Sequence, residues 1–357
     1  MVSYSTFSGM PPPRASMANI LAMVVMLSLF VQSAVTTRIT GGADPTIMKV
    51  GDTYYSAGSD GSSIWVHSAS TFEGLGADSG QKIWSDNAGR GEVWAPELTM
   101  DGSETYIYFS AGTGANHRMY VISASNPLGP YSAEQKLNLP DDHWAIDGTL
   151  FNFDDQRWFV WSGWEGAASN EQSLYICRMS DPVTPTGARY IISQPRESWE
   201  KGDSPAVNEG PEAIIDPNGQ LHIVYSANGS WNNKYCLADL RLRSGGDPTY
   251  VWDWYKSNGC LFGSHQERMM KGWDATLYID GPGHHTFALP NGDINHSPGG
   301  TDHIPFVFHG VQKGTTYSWG ARALYTGSYV WWSKTTYSRK SVPGDNNNEG
   351  YSFKFFE

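Results

Sequence analysis

The fold is decided by residues 43–56, Ala43-Asp44-Pro45-Thr46-Ile47-Met48-Lys49-Val50-Gly51-Asp52-Thr53-Tyr54-Tyr55-Ser56, because their pattern returns along the chain. An acid beside proline opens a short apolar run. A Gly-Asp turn follows, then a second run with aromatic rings that ends in a small polar residue. Tight turns between such runs signal β-hairpins. Later copies are Tyr108-Phe109-Ser110 after Asp101-Gly102, Val160-Trp161-Ser162 after Asp154-Asp155, and Val224-Tyr225-Ser226 after Asn218-Gly219. A looser fifth copy, Val307-Phe308-His309, follows Asn291-Gly292 and a longer loop.

A strand with a polar start lies upstream of each copy. The starts fall at 44, 94, 147, 209 and 284, so the spacings are 50, 53, 62 and 75 residues. That period suits a four-stranded blade with lengthening loops. Five such units predict an all-β, five-bladed propeller in a single domain, each blade's first strand at a central channel. A two-sheet sandwich is the alternative, but it gives no reason for one polar residue at the same point of every repeat. No long 3.6-residue periodicity stands out, so helix is expected to be scarce. The rest of the composition agrees: 39 glycines and 20 prolines supply turns, and 15 Trp, 19 Tyr and 14 Phe supply strand and core.

A net charge of −12 over 357 residues excludes a nucleic-acid partner, which needs a basic face, and a polybasic membrane-surface role. Residues 1–35 read as a secretory signal peptide. Arg14 precedes the uncharged run Ile20 to Val31, and Ser33-Ala34 supplies small residues for cleavage. The run is shorter than the ~20 residues of a membrane span. A mature chain starting near Val35 to Thr37 is expected, with the propeller over residues 36–357. The expected location is extracellular, the expected state a monomer with no membrane contact after cleavage. Secretion permits a disulfide. Cys236 and Cys260 flank a hairpin-like excursion and are the expected bridge, although spacing does not fix connectivity. Cys177, within an apolar run, is expected to be a buried thiol. Sequons at Asn228 and Asn295 can carry glycan if exposed.

In a propeller, equivalent positions of successive blades converge on one axis. Asp44, Asp147 and Glu209 would then face one another around the hub. Glycoside hydrolysis needs one carboxylic acid to protonate the leaving oxygen and a second carboxylate to activate water or attack. A third acid nearby raises the donor's pKa by like-charge repulsion. Asp before Pro or Gly is also ordinary turn chemistry; the common register is what favours function. The bare Gly or Pro beside each acid is expected to leave room for a ligand. Glu212 rivals Glu209, but alternation along a strand predicts that only one faces the channel. Glu97 is a further candidate, equally suited to packing between blades. His284 occupies the fifth start and suits a channel ion or water; His285 should point away. Trp94 and Trp144 stand beside channel-strand starts and are the candidates for stacking on sugar, whereas Trp161 and Trp164 read as core.

The motifs ADPTIMKVGDTYY, WAPELTMDGSETYIYFS, AIDGTLF, NEGPEAI and GPGHHTF together resemble glycoside hydrolase family 43, in that family's order, from about residue 42 to residue 330. The resemblance implies a five-bladed propeller with Asp44 as general base, Asp147 as the residue that tunes and orients the acid, and Glu209 as general acid. It implies His284 as partner to a channel ion, often calcium, and an arginine from the last blade on the substrate, for which Arg322 is the candidate. It implies inversion of configuration, with acid and base about 6.5–9.5 Å apart, and no organic cofactor. The chain looks most like exo-acting α-1,5-L-arabinofuranosidases, acting on plant cell-wall polysaccharide or arabino-oligosaccharide. Endo-arabinanase and β-xylosidase are the alternatives within the family, and a carbohydrate-binding propeller without hydrolysis is the alternative outside enzymes. The aromatic tail ending at Glu357 is expected to close the ring with the first blade.

Overall fold

The structure is a computed structural model that describes Met1 and residues 36–168, 171–263, 277–295, 303–336 and 349–357. The expected signal segment, residue 1 apart, lies outside the described residues. Residues 36–357 form one unit. It opens with a short strand, β1 (Arg38–Gly41), followed by four complete blades. The first holds β2 (Thr46–Val50), β3 (Thr53–Ser59), β4 (Ser63–Ala69) and β5 (Gln81–Ser85), and the second β6 (Trp94–Asp101), β7 (Glu104–Ala111), β8 (Arg118–Ala124) and β9 (Gln135–Lys136). The third holds β10 (Ala145–Phe153), β11 (Gln156–Gly163), β12 (Glu171–Asp181) and β13 (Thr184–Ser193). The fourth holds β14 (Ala206–Ile215), β15 (Leu221–Ala227), β16 (Cys236–Leu242) and β17 (Trp254–Lys256). The fifth is built on β18 (Ile279–Thr286), β19 (Ile304–Gln312) and β20 (Ala323–Thr336), with β21 (Glu349–Phe356) beside β20. The α-helix among the described residues, α1 (Phe72–Ala77), is short, and no described helix is long and apolar enough to cross a membrane.

Both ends of this unit meet on β20. Strand β1 pairs with its beginning, Gly41 opposite Ala323, and β21 pairs with the rest, Ser328 opposite Phe356. The tail therefore completes the fifth blade, which corrects the expectation that it reaches the first. The early strand β1 is what ties the start of this unit to the last blade.

The apolar residues form one core cluster per gap between blades. The cluster between blades three and four, around Trp158, Trp199 and Trp254, is the largest. That between blades five and one is the thinnest, with Ile47, Phe72, Leu75 and Val307. The polar residue that ends the repeat has a structural use in three of the five blades. Ser162 Oγ donates to the carbonyl of Asn208 (2.9 Å), Ser226 Oγ accepts from the amide of His284 (2.8 Å), and His309 Nδ1 accepts from the amide of Asp44 (3.0 Å). Each bond joins one blade's second strand to the next blade's innermost strand. The corresponding Ser110 hydroxyl is buried without a partner.

Cys236 and Cys260 are bonded, and Cys177 is a free, buried thiol whose pKa burial pushes up to about 12. Asn228 is 1% exposed, and its Nδ2 donates to the carbonyls of Trp199 and Lys234. The nitrogen a glycan needs is committed inside the fold, so this sequon is closed. Asn295 is exposed.

Candidate active site

Each innermost strand has, within it or just before it, a residue with left-handed backbone at the hub: Asp44 (φ 52°), Ala95 (42°), Asp147 (55°), Gly210 (55°) and His284 (39°). This conformation is uncommon for residues with a Cβ, and it breaks the two-residue alternation of the strand. The true register is thus 44, 95, 147, 210 and 284. Glu209 and Trp94 stand one residue before their blade's turn, which corrects the expectation that the three acids are equivalent. They converge all the same. A cleft of about 300 Å³ is lined by Asp44, Asp147 and His284 from the turn positions and by Trp94, Ile146 and Glu209 from the positions before them. Trp144, Gln172, Ser230, Trp231, Trp319 and Arg322 complete the lining.

Two residues past each turn lies a second tier, Thr46, Glu97, Thr149, Glu212 and Thr286, around a cavity of about 40 Å³ deeper in the hub. Here the expectation for Glu209 and Glu212 fails. The register slips between them, so Glu209 faces the cleft and Glu212 the channel below. The expected room for ligand beside the glycines is also absent. A Cβ on Gly148 would meet the Phe159 ring at 2.4 Å, one on Gly283 would meet Tyr235 at 2.2 Å, and one on Gly210 would meet His284 at 3.1 Å. The glycines admit neighbouring side chains.

His284 sits between the tiers. Its Nδ1 lies 3.1 Å from Asp44 Oδ1 and 4.0 Å from Asp147 Oδ2, and its Nε2 lies 3.6 Å from Glu97 Oε1 without a hydrogen-bond partner. Burial disfavours its charge, but the charges of Asp44 and Asp147, the hydrogen bond to Asp44 and the nearby Glu97 outweigh that and hold it well above the usual histidine range. Burial likewise opposes ionisation of Asp44. The His284 charge and the hydrogen bond from His284 prevail, holding this carboxyl well below the usual carboxylate range. Arg322 Nη1 stands 3.8 Å from the same oxygen. Glu209 is pushed the other way, up to about 8, by burial first and then by the charge of Asp147. Asp147 is raised to about 6, mainly by burial, although it accepts the amide of Gly210 at 3.1 Å.

The arrangement has separated its carboxyls into a charged one and a neutral one. Asp44, kept charged, is suited to accept a proton at neutral pH and Glu209 to hold one to give, the division that glycoside hydrolysis requires. Asp147, bonded to the residue after Glu209, couples the two.

The other predicted residues fall as follows. Arg322 and Trp94 reach the cleft. Trp144 does too, but it is 6% exposed and stacked on Trp164 (4.7 Å, 10°), so it presents an edge of wall. Glu97 lines the channel. His285 is fully buried, packed edge-on against Phe287 and held at a pKa of about 3 by burial. Sequence reasoning missed Trp231 and Trp319, exposed by 37% and 60%, because single tryptophans in irregular loops carry no periodic signal. It also missed Tyr235, in the loop just before β16, and Gln172, the second residue of β12. His309 was legible as the last member of the repeat, although its contact with Asp44 was not. Among the described residues no group of three or more His, Cys, Asp and Glu is arranged to hold a metal ion directly.

The model of Glycosyl hydrolases family 43 matches residues 39–334. An extracellular exo-α-(1→5)-L-arabinofuranosidase of Streptomyces avermitilis is 33% identical over 259 residues, 69% of this chain and 51% of that protein. The α-L-arabinofuranosidase 43 of Humicola insolens is 31% identical, over 71% of this chain and 53% of that one. The chain thus spans about half the length of these curated relatives. Among solved structures, an α-L-arabinofuranosidase from Lactobacillus brevis superposes with a TM-score of 0.70 at 24% identity, covering 90% of this chain and 99% of that one. A thermostable family-43 glycoside hydrolase superposes at 0.63 with 21% identity, over 89% and 93% of the two chains. These structures share the propeller fold.

Proposed function

The chain belongs to glycosyl hydrolases family 43, and on that premise we propose that it is a secreted, inverting hydrolase that releases L-arabinofuranose from α-1,5-arabinan or arabinose-bearing plant polysaccharide. The observation that carries the chemistry is the split between Asp44, held ionised, and Glu209, held protonated, in one cleft. Glu209 donates its proton to the glycosidic oxygen as the bond to the anomeric carbon breaks. A water attacks that carbon from the opposite face, and Asp44 takes the proton this water sheds. The products are the free sugar with inverted configuration and the shortened chain. Asp147 keeps Glu209 protonated and aligned. Arg322 and Trp94 orient the sugar. The choice of arabinofuranose rests on the names of the relatives, and secretion on the residue 1–35 pattern together with the word extracellular in a relative's name.

The test is a panel of nitrophenyl α-L-arabinofuranoside, nitrophenyl β-D-xyloside and linear arabinan, with products identified. Arabinose alone from arabinan is expected. Mixed oligomers would establish endo action, and xylose release without arabinose would establish a xylosidase.

The channel suits a hydrated cation better than a directly ligated one. His284 Nε2 is unpartnered, and Glu97, Glu212 and three threonines surround a space of water dimensions. A calcium ion there would be held through water by the two glutamates, and its charge would displace the His284 proton so that a neutral Nε2 could face it. Its charge would favour the ionised form of Asp44. Chelation followed by calorimetry is expected to lower the melting temperature, and an unchanged melt with unchanged activity would remove the ion.

A further inference from the structure

Trp94 is 38% exposed, with one face in the cleft. Its other face is covered. The His117 ring lies 3.9 Å away at 23°, nearly parallel. His117 is fully buried, at the end of the loop between β7 and β8, and does not line the cleft. Its Nε2 is 3.1 Å from Glu92 Oε2, and its Nδ1 has no partner. Burial holds its pKa below the usual histidine range, so the ring is neutral and Nε2 donates to Glu92. Glu92 adopts a left-handed backbone (φ 42°). The His117 edge meets Trp144 at 6.1 Å and 69°. One side of the cleft is therefore a continuous stack behind a single exposed indole face.

A buried imidazole with one unmet nitrogen is costly, and a phenyl ring would fill this space without that cost. What imidazole adds is a directional bond to Glu92, which fixes the plane of the ring. Stacked rings lie nearly parallel, here within 23°, so the bond also sets the free face of Trp94. We propose that His117, held by Glu92, is a positioning residue that sets Trp94 as the platform for a pentose ring of the substrate. The inference rests on reading the cleft as the glycosidase site and adds the residues that orient its stacking surface.

The test is a double-mutant cycle with linear α-1,5-arabinotriose. Trp94→Ala is expected to raise KM. His117→Ala is expected to raise it about three- to tenfold, the worth of one aromatic pair, with kcat within twofold and the alkaline limb of the pH profile unmoved. In the Trp94→Ala background, His117→Ala should add nothing, since its effect passes through that ring. An unchanged KM in His117→Ala, or a full extra effect in the double variant, overturns the proposal. If His117→Ala fails to fold, His117→Phe decides. It keeps the stack and loses the Glu92 bond, so a smaller rise in KM supports the role and a wild-type KM overturns it. If the wild type cleaves no arabinoside, the functional reading fails. Calorimetric binding of the trisaccharide to Glu209→Gln, with and without His117→Ala, then judges the platform alone. Tighter binding with His117 present supports it, and equal binding overturns it.

Discussion

The chemistry proposed for this protein comes down to three carboxyls whose surroundings differ. Asp44 stands against two histidines, Glu209 against burial and the charge of Asp147. Glu209→Gln and Asp44→Asn are each expected to lower kcat by about 10²–10⁴-fold while the circular dichroism spectrum and melting temperature stay near wild type. Full turnover in either purified variant would remove these roles. The pH dependence follows from the same groups. Glu209 works as an acid only while protonated, so activity should fall as pH rises through about 8. The charge of Asp147 raises that value, so Asp147→Asn should move the alkaline limb to lower pH. An alkaline limb that stays in place in this variant would show that Asp147 does not tune the acid.

At the scale of the strand, the left-handed residue in or just before each inner strand does the placing. It puts the residues at and before the turn into the cleft and the residue two further on into the channel. That is how Glu209 and Glu212, three apart, both reach the hub on different tiers. The turn also brings backbone close to neighbouring rings. Gly283→Ala would drive a methyl into the Tyr235 ring, 2.2 Å away, beside the Glu209 carboxyl. It is expected to cost about 1–3 kcal/mol by overpacking, read from denaturant unfolding. Gly58→Ala, where a Cβ meets nothing within 4 Å, should cost less. Equal effects would mean that Tyr235 moves aside freely.

Across the whole ring the seams are unequal. Between blades five and one lie Ile47, Phe72, Leu75 and Val307, at ~1.5–3 kcal/mol for each large side chain fully buried. The same seam carries a groove of about 240 Å³ lined by β1, β3 and Trp65. The seam between blades three and four is packed with tryptophan, and the Cys236–Cys260 bridge closes a 24-residue separation in blade four. Ring closure should therefore be the first part to open. Amide exchange in β1 and β2 is expected to be faster than in β14 to β16, and the reverse order in a hydrogen-exchange experiment would contradict this.

Much of this could be read in the residues alone. The turn-and-ring repeat announced five blades, because strand periodicity and tight-turn chemistry are local and survive in one dimension. Asp44, Asp147 and Glu209 were legible because each sits at a repeat boundary, and the Cys236–Cys260 bridge was the expected one from the excursion these residues flank, although spacing left the connectivity open. What only the fold decided depends on contacts between distant segments. Alternation could not place Glu212, since a backbone dihedral resets it. Nothing near Asp44 in sequence announces His309, 265 positions away, which accepts its amide. Trp231 and Trp319 enter the cleft from irregular loops. The charge states of Asp44 and Glu209 belong to this second kind, because desolvation and Coulomb interaction depend on distance in space, which the order of residues does not record.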